Sequence, residues 1–181
     1  VGSVSSRFHV LQVWLNLNYV EFSWLLLSFS CGQILSNLII GRLIPFFGSK
    51  KILLTMIAFI SFALINFIEK PTYTVVLVLF LLLSFGFGGG MVVVMAQAGT
   101  VQTHQEKFWI SFFQGVSGIG VIGGMASGLL TNYLNIPIDI HFPFVGIVLL
   151  TLLTITLYGY VPYEIDRSKE DKIYELSTKI I

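Results

Sequence analysis

The sequence predicts an all-α, polytopic membrane protein of about five transmembrane helices, and three observations carry that prediction. Charged residues make up only 10% of the 181 residues, against about 25% in soluble domains. Hydrophobic residues make up 55%, and the mean hydropathy is +0.88. Five runs contain no Asp, Glu, Lys or Arg: 22–41, 52–68, 71–105, 108–138 and 140–163. A hydrocarbon core of about 30 Å takes about 20 apolar residues as a helix, so each run holds one span and none holds two. The runs are continuous rather than alternating, which excludes barrel strands, and an open sheet cannot satisfy its backbone in lipid.

Residues 1–21 come first. Their apolar stretch, 8–15, is short and broken by His9 and Gln12, unlike the apolar segment of a signal peptide. They are expected as an extracytoplasmic loop. The bundle follows over 22–162, with helices near 23–46, 52–67, 74–98, 109–133 and 143–160. Short joints separate them: Gly48 to Lys51, Glu69 to Pro71, His104 to Lys107, and Asn132 to His141 with Pro137 and Asp139 inside. Lys and Arg concentrate on the cytoplasmic side. Placing the first joint inside puts Arg42, Lys50, Lys51, Lys107, Arg167, Lys169, Lys172 and Lys179 in the cytoplasm, with only Arg7 and Lys70 outside. The N-terminus is then out, in a plasma or bacterial inner membrane. The charged tail, 163–181, is then cytoplasmic, with Ile173, Leu176 and Ile180 at helical spacing.

The small and polar residues inside the spans are the candidates for function. Gly120, Gly124 and Gly128 recur every fourth residue, a face that lets another backbone approach closely in lipid. Gly86 to Gly90 offer a second such face, or a place where the helix loosens. Gln33, Asn37, Asn66, Gln97, Gln102 and Gln114 are amides within spans, and an amide facing lipid is costly, so most are expected to face the bundle interior. Gln33 and Asn37 share a helix face. They either line a polar path or hydrogen-bond to a neighbouring helix. No charged residue lies deep in a span, which argues against a proton relay built on these residues alone.

Enzyme chemistry finds no support. His9, His104 and His141 fall at separate membrane edges without ligand-like neighbours, and each reads as an ordinary interfacial residue. The glycine run lacks the Lys-Ser/Thr of a phosphate loop, and there is no Gly-x-Ser-x-Gly elbow. The lone Cys31 excludes a disulfide framework. A net charge of +1 gives no field for nucleic acid. No cofactor or metal is expected.

The first joint, from Gly41 through Arg42, Leu43, Ile44, Pro45, Phe46, Phe47, Gly48 and Ser49 to Lys50 and Lys51, resembles the loop between the second and third helices of major facilitator superfamily transporters. Gly41, Leu43, Gly48 and Lys50 match that motif, while Pro45, Phe46 and Ser49 replace its Asp and two Arg. Gly86 to Gly90 followed by Met95, Ala96, Gln97 and Val101 is similar to the fourth helix of the fucose-permease-like branch. Gln114, Gly115, Gly118 and Gly120 are similar to the start of its fifth. Met95, Gln102 and Gln114 stand where that branch carries Asn, Glu and His.

The resemblance covers about 15–160 and implies five spans equivalent to helices two to six of a twelve-helix transporter, most of its N-terminal half. It further implies alternating access for a small solute, a sugar or related metabolite, bound between two halves near the midplane. The expected partners are the lipid bilayer, the solute with a coupling proton, and a C-terminal half. Gln33, Asn37, Gln97, Gln102 and Gln114 are the path candidates, and Gly41, Leu43, Gly48 and Lys50 shape the cytoplasmic gate. The alternative is a non-transporting helical membrane partner that packs through Gly120, Gly124 and Gly128, or an inactive transporter remnant.

Overall fold

The computed structural model describes residues 1–105 and 109–156. The tail at 163–181, and the end of the fifth predicted span, lie outside them. Among the described residues all regular structure is helical: α1 (Gly2–Ser5), α2 (Phe8–Leu15), α3 (Tyr19–Phe47), α4 (Ser49–Ile65), α5 (Tyr73–Gln105), α6 (Trp109–Tyr133) and α7 (Ile138–Thr156). The last five fall where the charge-free runs predict helices. Three segments are long and apolar enough to cross a membrane, Tyr19–Phe47, Tyr73–Gln102 and Trp109–Tyr133; a shorter apolar helix, Ile138–Thr154, lies within α7.

Local chemistry sets the helix ends. Asn18 caps α3 with a reciprocal pair: its side chain accepts from the Glu21 N–H at 2.9 Å, and its own N–H donates to Glu21 Oε2 at 2.9 Å. Gly48 alone separates α3 from α4, at φ 78 and ψ 146, a conformation open almost only to glycine. Asn16, at φ 58, closes α2 in the left-handed region that asparagine tolerates better than most residues.

α5 is the centre of the bundle, in contact with α3, α4 and α6, while α7 packs on α4, α1 on α6 and the end of α2 on α7. Glycine makes the close approaches. A Cβ added at Gly32 would strike Leu81 O and Ser84 Oγ of α5, and one at Gly88 would strike Ser36 Oγ and lie 3.2 Å from Gln33 O of α3. One at Gly86 would sit 2.7 Å from Met56 O of α4, and one at Gly146 of α7 3.0 Å from Ser61 O. The glycine run therefore seats the backbones of α3 and α4 against α5. A larger core gathers Phe67 from the turn after α4 with Phe80 of α5 and Phe142 of α7, Phe67 standing edge-on to Phe142 at 5.3 Å. A smaller one joins Ile40, Ile44, Ile52, Met56 and Val93 beside the Gly48 joint.

The N-terminal region corrects one expectation. Residues 1–21, read from the sequence as a loop, are largely helical. Gly2 meets Val121 and Met125, Ser3 meets Gly124, and Ser6 meets Gly128. Both numberings rise together, so α1 runs parallel to α6 and lies along its second half rather than beyond its end. The sequence missed this because the stretch is short and mixed, and its helices are held by packing on α6 and α7 rather than by their own pattern.

Candidate functional site

Two features stand out on the α6 side of the bundle: a cavity and, beside it, a buried polar cluster. The cavity, about 640 Å³, lies among α1, α5, α6 and α7. Phe87, Phe144 and Leu152 give it apolar walls, Gly120, Gly123 and Gly124 give it width, and Ser3, Ser117 and Ser127 supply its hydroxyls. A mostly apolar cleft with a few placed polar groups is the usual form of a small-molecule site.

The cluster centres on Arg7, in the break between α1 and α2, only 2% exposed. Its Nη2 donates to the Ile136 carbonyl at 2.7 Å, beyond the end of α6. Its Nη1 donates to Thr131 Oγ1 at 3.5 Å and lies 3.3 Å from His141 Nδ1. On the other side of the ring, His141 Nε2 lies 3.0 Å from Ser3 Oγ, and His141 is 3% exposed. Arginine has donors only, so the contact with Nη1 assigns Nδ1 the acceptor role, the arrangement of a neutral ring with its proton on Nε2 facing Ser3 Oγ. Thr131 gives its own proton to Gly128 O at 3.0 Å and receives that of Arg7. Burial lowers the Arg7 guanidinium from its ordinary pKa, yet an arginine keeps its proton in a protein.

His141 is thus no ordinary interfacial residue. It ties α7 to α1 and α6. The signal that could have revealed it was the small-residue spacing of Gly2, Ser3 and Ser6, which complements Gly124 and Gly128, followed at once by a lone arginine.

The amides singled out from the sequence are scattered. Gln33 is half-buried at the level of Gly88, near the middle of α5, whereas Asn37 is exposed at the edge of the same face. Gln97 is nine residues further along α5, about 14 Å at the helical rise. Gln102 Oε1 accepts from the Ile110 N–H at 3.2 Å, satisfying one of the free donors at the start of α6. Gln114 is exposed, and so is Asn66, whose Nδ2 donates to Phe62 O at 2.8 Å. None of the five path candidates lines the cavity. The expectation that most amides face the interior of this chain is corrected at Asn37, Asn66 and Gln114.

At the Gly48 joint, Gly48 is buried, Leu43 joins the smaller core and Lys50 is half-buried, while Gly41 is exposed with open space at its Cβ position. Of the repeated glycines on α6, Gly124 and Gly128 receive α1, and Gly120 opens onto the cavity. The charges also divide by end. Arg7, Lys70, Glu21 and Glu69 lie at the end of the bundle with the α6–α7 joint, where Lys70 Nζ stands 5.9 Å from the Trp14 ring. Arg42, Lys50 and Lys51 lie at the other.

The profile of the Major Facilitator Superfamily matches residues 8–176. The chain belongs to that family. It is a transporter of the major facilitator class, built of apolar helices and integral to the membrane. No curated protein and no solved structure matches the chain.

Proposed function

We propose that this transporter moves a small polar solute, a sugar or related metabolite, by alternating access, as in the fucose-permease-like branch. The observation that carries the reading is the cavity of about 640 Å³ within a chain of this family, open on a helix that the rest of the chain hardly covers. Alternating access requires a second helical half facing the first, and the exposed face of α6 is where such a half would seat. Gln33, Asn37, Gln97, Gln102 and Gln114 would then face the path between halves, which would account for Asn37 and Gln114 standing exposed in this half alone. Gly41, Leu43, Gly48 and Lys50 would form the gate. The end bearing Arg42, Lys50 and Lys51 would face the cytoplasm by the positive-inside rule, with the N-terminus out.

Uptake of labelled polar solutes into cells expressing the transporter tests this. We expect one solute class to accumulate above the empty-vector level, and Gln33→Ala with Asn37→Ala to reduce it at least about tenfold, the loss of one or two hydrogen bonds to solute. Uptake of every solute left unchanged by that pair would remove both residues from the path. No uptake at all, with a defined complex lost on Gly120→Leu, would favour a non-transporting membrane partner.

A further inference from the structure

The contacts at His141 describe a choice between two cations. Nδ1 has one lone pair, and in this structure Arg7 Nη1 faces it at 3.3 Å, with Thr131 Oγ1 at 3.4 Å. A proton on Nδ1 would end its ability to accept and set an imidazolium against a guanidinium in a place where both residues are almost fully buried. We propose that His141 Nδ1 is a proton site whose occupancy excludes the hold of Arg7, so that protonation unlatches α1 and α2 from α6 and α7.

The balance is simple. A proton from solution adds to the Nδ1 lone pair, neutral imidazole becomes imidazolium, Arg7 keeps its own proton, and no covalent bond in the chain breaks. Ser3 gives the site its connection: its hydroxyl touches Nε2, and the residue is among those that line the cavity. The groups around the ring are few. Arg7 is the charged group that faces it from the N-terminal segment, α6 turns the Thr131 hydroxyl towards it, and from the turn after α4 the Phe67 ring packs on the adjacent Phe142. On α7 itself, Asp139 stands two residues earlier with Oδ1 buried and without a hydrogen-bond partner. Release has a mechanical consequence, because the bonds from Arg7 to Ile136 O and Thr131 are what join the α1–α2 break to the α6–α7 joint.

The latch belongs to the packing of this chain and does not depend on which solute is carried, or on transport at all. Hydrogen–deuterium exchange of the full chain in lipid nanodiscs, corrected for the intrinsic pH dependence of exchange, tests it between pH 8 and pH 5, where histidines titrate. Amides of α1 and α2 are expected to exchange about tenfold faster at pH 5, corresponding to about one pK unit of linkage, while those of α4 and the first half of α5 hold steady. His141→Gln is expected to abolish that dependence. A flat profile in the natural chain, or an unchanged dependence in His141→Gln, would overturn the proposal. Should that variant fail to fold, nitrogen-15 NMR of a His9→Asn, His104→Asn chain reads His141 alone: the Nε2–H tautomer at pH 8 is expected, and the Nδ1–H tautomer would overturn it.

Discussion

α5 and α6 are neighbours of similar composition, both rich in glycine, yet they sit in the molecule very differently. In the apolar window of α5, 44% of residues are buried, against 6% in α6. Gly86, Gly88 and Gly89 each press against atoms of α3 or α4, while Gly115, Gly118, Gly120 and Gly123 have nothing within 4 Å of where a Cβ would stand. The same residue therefore does two jobs. On α5 it removes side-chain volume so that backbones can touch. On α6 it leaves room, apart from Gly124 and Gly128, where α1 uses it. A glycine repeat alone does not reveal which; the neighbours do.

The sharpest way to break the contrast is on the packed side. Gly32→Val puts a branched side chain into Leu81 O and Ser84 Oγ, and no flexible tip is available to yield. Overpacking of this kind costs about 3 kcal/mol or more, so we expect little folded protein by size-exclusion chromatography in detergent. A well-folded Gly32→Val chain would mean that the α3–α5 seam is looser than its geometry. Next in size is Arg7→Ala, which takes the donor from the half-buried Ile136 carbonyl and leaves a void beside the buried His141. The cost is about 2–4 kcal/mol, typical when a buried charged hydrogen-bonding partner is removed. Thermal unfolding followed by tryptophan fluorescence would show it, and a drop confined to the α1–α2 segment in hydrogen exchange would place the loss at the latch.

Gly48→Ala should fall between these and neutrality, at about 1–3 kcal/mol, since any Cβ is strained at φ 78 and ψ 146. Here the family motif and the backbone agree. Of the four motif residues, Gly48 has a conformational reason visible in the chain, whereas Gly41 stands in open space. Equal loss of stability from Gly41→Ala and Gly48→Ala would show that the motif acts through something other than the turn.

These cases show how far the sequence could be read. Charge-free runs located the five long helices among the described residues, because in lipid a charge is costly enough to be kept to the ends of the helices. The loop motif pointed to the family through a handful of positions. The cluster at Arg7 and His141 was illegible for a physical reason: its members come from residues 3, 7, 131, 136 and 141, and no local pattern relates them. The region that supplies Ser3 and Arg7 forms short helices only because α6 offers a groove of glycine. Likewise nothing in the amide spacing distinguished Gln33, half-buried, from Asn37, exposed four residues later.

The smallest expected effect is also the most discriminating. Gly120→Ala adds a methyl group where nothing stands within 4 Å, and alanine favours a helix over glycine by about 0.5–1 kcal/mol. The melting temperature should hold or rise slightly. Gly88→Ala, with its Cβ driven into Ser36 Oγ, should lower it. A Gly120→Ala chain as unstable as Gly88→Ala would erase the distinction between the two helices, because open space would then be carrying load. If instead stability is kept while uptake falls, the methyl group must be narrowing the cavity that Gly120 lines, and the room on α6 is kept for the solute rather than for another helix.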